Sequence, residues 1–209
     1  MKKLLLVPLL ALVASLCFAQ NQTLPQKLQH LYAPLDKAQV QTGYLFDLSW
    51  SFANPSDYRG VLTDSNYVSS DVFGMLYGAM RGSRTAASGL PSAEVYLSKI
   101  KALFSDDTIP LAAMALRFDR IRPDAVDQNL LSLSNGQMFD VPGRAESPYF
   151  QDTVFVAMPL KGKITSRSVS FTLPTDLWFS NLSGPVPVIS LDPGDGQGWR
   201  TLSAGQSIA

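Results

Sequence analysis

From residue 106 onward the chain is a succession of short apolar stretches broken by turn residues, with no amphipathic helix between them. "IPLAAMALRF", "TVFVAMPL", "SVSFTL", "VPVISL" and "WRTL" each read as a strand, and Gly, Pro, Asp and Asn stand between them. "LLSLSNGQMFDV" is the clearest local signal. Its Asn135-Gly136 is a preferred type I′ pair with apolar residues on either side, so the chain is expected to fold back on itself there. Many short strands without intervening helices predict an antiparallel, sandwich-like sheet.

Upstream of residue 106 the pattern is helical. "SSDVFGMLYGAMRGSR" opens with Ser69, Ser70 and Asp71, which can accept hydrogen bonds from free N–H groups at a helix start. Val72, Phe73, Leu76 and Met80 then share one face, and Gly82 can close the helix. Gly74 and Gly78, four apart, read as a place where another element packs closely. "LPSAEVYLSKIKALF" starts at Pro91 and Ser92, with an apolar stripe of Leu97, Ile100, Leu103 and Phe104. A short helix around Leu28 and Leu31 is expected to end near Pro34. "GYLFDLSWSF" is dense enough in apolar residues to plug into the core, as helix or as strand. The fold class is therefore α+β: a mainly helical region, 20–105, packed on a β-rich region, 106–209.

The first nineteen residues are set apart from both. Lys2 and Lys3 precede thirteen apolar residues, Leu4 to Leu16, too few to span a bilayer, and Cys17-Phe18-Ala19 offers small residues at the cleavage positions. This is the pattern of a secretory signal peptide cut after Ala19. Leu16 replaces the small residue that usually precedes a lipidated cysteine, so Cys17 does not read as a lipoprotein anchor. The processed chain would contain no cysteine, which excludes disulfides, thiolate metal sites and cysteine nucleophiles. Loss of Lys2 and Lys3 would leave fifteen basic against seventeen acidic side chains, a balance of −2 that gives no reason to expect nucleic acid or anionic membrane as a partner. No second long apolar run follows, hence no further transmembrane segment is expected.

Candidate chemistry is sparse. The processed chain has one histidine, His30, and no G-x-S-x-G elbow to supply a nucleophile, so a Ser-His-Asp triad is not supported. His30 reads as a surface helix residue; no metal site and no cofactor are expected. "RFDRIRPDA" concentrates charge in Arg117, Asp119, Arg120, Arg122 and Asp124. As a strand it puts Arg117, Asp119 and Ile121 on one face and Phe118, Arg120 and Arg122 on the other. Arginine forks there could clamp an anionic ligand, while the alternating signs favour an ion-pair network. Fifteen Asp and two Glu, Glu94 and Glu146, mean that some carboxylate pair will fall at glycosidase spacing by chance. Trp50, Trp178 and Trp199 could stack on sugar rings, but buried aromatics are usually core.

"LDPGDGQGW", Leu191 to Trp199, invites a ligand-cradle reading. No lysine follows Gly198, so it is not a P-loop. Strands flank it, so it is not a dinucleotide turn. Asp192 and Asp195 are three apart and position twelve is Ala204, so it is not an EF-hand. A hairpin fits best, with Gly194, Gly196 and Gly198 free to take positive φ.

At this loop a resemblance appears. PKD-like β-sandwich modules carry W-D-F-G-D-G at a strand-to-turn junction, and Asp192, Gly194, Asp195 and Gly196 stand in register with it. Leu191 replaces the tryptophan and Pro193 the phenylalanine, and residues 186–203 would form a partial PKD-like strand-turn-strand. "TGYLFDLSWSF", "RIRPDA", "DVPGRAESPYF" and "FTLPTDLWFSN" extend the similarity to the N-terminal region of large secreted proteins of Bacteroidota. Asp107-Thr108-Ile109 and Asp152-Thr153-Val154 resemble the O-glycosylation triplet of that lineage. The resemblance implies an exported, periplasmic or cell-surface location, and a sandwich incomplete at the C-terminus because such proteins usually continue. The function expected is a structural or binding module whose partner is a glycan or another cell-envelope protein. The alternatives are an N-terminal or accessory domain of a secreted hydrolase acting on polysaccharide or ester substrates, and a truncated gene product.

Overall fold

The computed structural model describes residues 23–61, 63, 66–86, 89–160, 164–183 and 188–209. The expected signal peptide, residues 1–19 with Cys17, lies outside the described residues, as do residues 186 and 187 at the start of the PKD-like segment. The helices are α1 (Leu24–Leu31), α2 (Ser70–Gly82) and α3 (Ala93–Ala102). The strands are β1 (Thr108–Ile121), β2 (Leu131–Ser134), β3 (Gln137–Asp140), β4 (Tyr149–Pro159), β5 (Ser170–Thr172), β6 (Trp178–Ser180), β7 (Ile189–Leu191), β8 (Arg200–Leu202) and β9 (Ser207–Ile208). The class is α+β, helices first and strands after.

β1 organises the molecule. Residues 110–116 are buried without a break, which is what a strand covered on both faces requires. Its alternation divides it between two cores. Ala112, Met114, Leu116 and Phe118 face the helices, together with Val154, Val156 and Met158 of β4. Leu111 and Ala113 face the opposite layer, with Leu173, Ile189 and Leu202. β4 runs antiparallel along β1 from Leu111↔Pro159 to Ile121↔Tyr149.

The other side of β1 departs from the antiparallel expectation. β5 pairs parallel with Thr108–Pro110 and β6 parallel with Ala113–Ala115, so the sheet is mixed. β5 and β6 behave as one strand interrupted at Pro174, which lacks the N–H a ladder needs, and by the 3-10 turn Thr175–Leu177. The chain leaves β4 and crosses to the far side of β1, which reverses its sense relative to β4 and makes it parallel to β1. β9 closes this side by pairing with β5.

α2 forms where the capping signals lie. Ser69 Oγ accepts from Val72 N–H, and Phe73, Leu76, Tyr77 and Met80 are buried. Gly82 is the last helical residue and has ordinary helical φ; a Cβ there would stand 2.8 Å from Ser49 Oγ, so close approach explains the glycine. α3 begins at Ser92, whose Oγ accepts from Val95 N–H. Its contact face differs from the expected stripe. Tyr96 stacks on Tyr77 with centroids 4.5 Å apart and meets Phe179 edge-on, while Leu97 and Phe104 stay half exposed. The aromatic stack turns the helix so that Tyr96, Ile100 and Leu103 lie inward.

"GYLFDLSWSF" only half fulfils its expectation. Tyr44 and Leu45 are buried and bridge to Arg84 and Asp119, and a 3-10 turn follows at Phe46–Leu48. Trp50 and Phe52 instead stand out of the core, 52% and 82% exposed, with rings 4.1 Å apart. The Asn135-Gly136 hairpin forms as expected, with φ of 51° and 70° and β2 paired to β3.

Candidate functional site

The charged segment of β1 is assembled as the alternation requires, and each charge but one has a structural partner. Asp119 is 3% exposed, and its Oδ2 accepts from Thr42 N–H at 3.0 Å and from Thr42 Oγ1 at 2.7 Å. Its own N–H donates to Tyr44 O at 2.8 Å, so this one residue pins the 42–45 segment against the sheet. Arg120 lies over the Phe46 ring, 5.1 Å from its centroid, and donates to Ser56 Oγ at 3.0 Å and Asn54 Oδ1 at 3.3 Å. Arg122 forks onto Asp124, with both nitrogen–oxygen distances 3.0 Å, and reaches Glu146 Oε2 at 2.6 Å. The hydrogen bonds from Arg122 hold the Asp124 carboxyl below its usual range, and those carboxylates in turn push the guanidinium further up.

Arg117 is the exception. It is exposed, and its backbone rather than its guanidinium is engaged: Asn181 accepts from its N–H at 2.7 Å and donates to its C=O at 2.8 Å. Most of the segment thus serves as braces. Of the residues expected either to clamp an anion or to form an ion-pair network, Asp119, Arg120, Arg122 and Asp124 turn their donors and acceptors toward neighbouring segments or one another, the arrangement of the second alternative, and Arg117 does not take part in it. His30 is exposed in the last turn of α1. Among the described residues, no group of three or more His, Asp or Glu is placed to hold a metal ion. Nor is any helix there long and apolar enough to cross a membrane.

The 192–198 loop joins β7 to β8 in antiparallel register, Ile189↔Leu202 to Leu191↔Arg200. Gly194, Gly196 and Gly198 have φ of 78°, 79° and 77°. Its aspartates turn into the loop. Asp192 accepts from Gly194 N–H at 2.9 Å and Asp195 from Gln197 N–H at 3.0 Å, while Asp195 pairs with Arg200 at 2.7 Å. The loop folds as a hairpin turn and leaves no convergent oxygens for a ligand.

A concave feature that sequence reasoning did not find lies away from this segment. A cleft of about 410 Å³ lies between residues 58–61, 66 and 68, the β4 strand and the β7–β8 hairpin. Tyr58, Val68, Phe155, Met158 and Ile189 line it, and Val61, Val188 and Trp199 stand at its mouth, 73%, 53% and 73% exposed. The wall formed by residues 58–60 is fixed in place. Tyr58 O accepts from Phe155 N–H at 2.8 Å, and Arg59 pairs with Asp152 at 2.9 Å. Burial pushes the Asp152 carboxyl up, but hydrogen bonds from Ser56, Arg59 and Thr153 outweigh it and hold the group below its ordinary value. Gly60, at φ 85°, passes so close to Phe155 that a Cβ would stand 2.4 Å from its ring.

A shallower, polar depression of about 360 Å³ lies among Gln39, Asp140, Arg144, Glu146 and Ser147, and another of about 220 Å³ lies between Trp50, Phe52 and Met75 over Gly74 and Gly78. Nothing lies within 4 Å of where a Cβ would sit on either glycine, so the packing expected there is not made. Of the three tryptophans, Trp178 is partly covered and meets Phe155 edge-on, whereas Trp50 and Trp199 are surface residues. No family model matches the chain, and no curated protein or solved structure shows significant similarity to it.

Proposed function

We infer that this chain is an exported structural or binding module, the N-terminal region of a larger secreted or cell-surface protein, and that the cleft beside Trp199 is its binding face. The observation that carries this reading is the division of labour between charge and apolar surface. The charged side chains of the 117–124 segment, Arg117 apart, are engaged in bracing loops onto the sheet or in pairing with one another. Large apolar side chains are left at the mouth of a cleft, where exposure to water is unfavourable unless something covers them. A hydrolase of polysaccharide or ester substrates would need convergent polar groups in a concave site. The cleft offers aromatic and aliphatic walls instead. The partially matching PKD-like turn at Asp192, Gly194, Asp195 and Gly196 supports an extracellular architecture and adds nothing catalytic.

The test compares the processed protein with its Trp199→Ala and Val188→Asp variants. Each is assayed for binding to neutral and acidic polysaccharides and to peptide libraries, and for hydrolysis of aryl esters and aryl glycosides. Binding that both variants lose while keeping their thermal unfolding transition is the expected result. Hydrolysis by the unaltered protein, or binding indifferent to both changes, would overturn the reading.

A further inference from the structure

The cleft runs along a strand edge. Five consecutive residues of β4, Phe155 to Pro159, line it. Successive side chains of a strand point to opposite faces, so a cleft that touches all five lies on the edge of the strand. The bond from Phe155 N–H to Tyr58 O fixes the parity: odd-numbered β4 residues turn N–H and C=O away from β1. Arg59 begins a parallel pairing at Phe155. Two residues on, the outward N–H and C=O of Ala157 have no partner among the described residues. Pro159 ends the edge, having no N–H to offer.

The lining restricts what can occupy this edge. None of the described lining residues is charged, so a charged ligand would lose hydration and meet no counter-charge. Asn66 has both ends engaged: its Oδ1 accepts from Thr63, and its Nδ2 donates to Asp57 O at 2.8 Å and Val61 O at 3.0 Å. A sugar would thus find few free polar groups. Two copies of this chain cannot pair edge to edge here, because the edge is recessed between Val61 and Trp199 and the walls of the two copies would collide. A single extended backbone fits both the open Ala157 peptide groups and the apolar walls.

We propose that the cleft takes an extended, uncharged peptide segment of a partner protein, which adds as a strand to β4 at Ala157 and lays alternate apolar side chains among Phe155, Ile189 and Trp199. This rests on the binding-module reading and names its partner class.

The test selects heptapeptides from a displayed random library on the processed protein. Uncharged sequences with apolar residues at alternate positions are expected to be enriched. A selected peptide, made synthetically, slows hydrogen exchange of the Ala157 amide. N-methylation at alternate positions of one parity weakens it about tenfold or more, and at the other parity changes little. Ala157→Pro removes the outward donor without touching the β1 ladder and weakens binding about tenfold as well. Should that variant fail to fold, the N-methylated peptides decide the matter on the unaltered protein. Absence of any selected peptide, enrichment of charged ones, or binding that survives N-methylation at both parities overturns the proposal. A neutral polysaccharide that depends on Trp199 but ignores Ala157→Pro overturns the peptide assignment and leaves the binding-module reading standing. No cleft-dependent binding of either kind overturns both.

Discussion

Replacing Asp119 by alanine separates a structural role for the charged β1 segment from a functional one. The carboxylate is almost completely buried and accepts two hydrogen bonds from Thr42. Removing it leaves the Thr42 N–H without its acceptor, leaves the Thr42 hydroxyl only Tyr44 O at 3.0 Å in place of a carboxylate, and opens a small cavity against β1. Each orphaned donor costs about 1–3 kcal/mol, and loss of a charge-assisted partner lies at the upper end. A total of about 3–5 kcal/mol follows, a large share of the roughly 5–15 kcal/mol that stabilises a typical domain. With a urea dependence of about 2 kcal/mol/M, the unfolding midpoint falls by about 1.5–2.5 M. Asp119→Asn keeps an acceptor oxygen and costs less, about 1–2 kcal/mol. Thr42→Ala removes the hydroxyl that donates to Asp119 and accepts from Tyr44 N–H, and the double variant with Asp119→Ala falls short of the sum of the single losses by about 1 kcal/mol. Urea unfolding of the parent and the four variants, followed by far-ultraviolet circular dichroism, measures all of this. A midpoint for Asp119→Ala within about 0.5 M of the parent would refute the bracing argument. Lost binding with undiminished stability would return the residue to the functional site.

Four further outcomes follow from other contacts. Tyr149 Oη is buried with no partner among the described residues, so Tyr149→Phe should leave stability within about 1 kcal/mol of the parent or raise it, as read from the urea midpoint. Gly60→Ala combines positive φ with a clash against the Phe155 ring and should cost more than about 2 kcal/mol, whereas Gly194→Ala, also at positive φ but in open space, should cost about 1 kcal/mol. Burial holds the hydroxyls of Tyr77, Tyr96 and Tyr149 at about 12, above the ordinary tyrosine value of 10.0, so the folded chain keeps protons that the unfolded chain loses; stability should be intact below pH 10 and fall as pH rises toward 12, less steeply in Tyr96→Phe. Arg122→Ala breaks an exposed pair of bridges and should hardly move the urea midpoint, with a smaller effect still at high salt.

The readable parts of the fold were those set by neighbouring residues. The Asn135-Gly136 turn, the caps at Ser69 and Ser92, and the glycine-rich hairpin after Leu191 each depend on chemistry within a few positions. What was not readable was set by distant partners. Whether β5 and β6 run parallel or antiparallel to β1 depends on which side of β1 the chain returns to after β4, and no local pattern records that choice. The inward face of α3 likewise depends on the Tyr77 and Phe179 rings that Tyr96 meets. Of the stripe Leu97, Ile100, Leu103 and Phe104, Ile100 and Leu103 lie inward, while Leu97 and Phe104 stay half exposed and Tyr96 takes the remaining inward place.

The same distinction separates charge density along the chain from the placement of a cleft. "RFDRIRPDA" is conspicuous because five ionic groups lie within eight residues, Arg117 to Asp124. Density along the chain does not say where side chains aim, and here they aim at Thr42, Asn54, Ser56 and Glu146, which lie on other segments. The cleft has the opposite character. Val61, Phe155, Val188 and Trp199 come from three separated stretches, and each taken alone reads as ordinary core. What makes them a candidate surface is an uncovered sheet edge, and an edge is a property of the sheet's topology, not of any residue on it. β4 is an edge because the chain after it crosses β1 instead of adding a strand beside it. The step that hid the parallel pairing from the sequence is therefore the step that created the open backbone at Ala157. Both follow from one crossover, and a peptide that fills the cleft as proposed would supply the neighbouring strand that this topology leaves out.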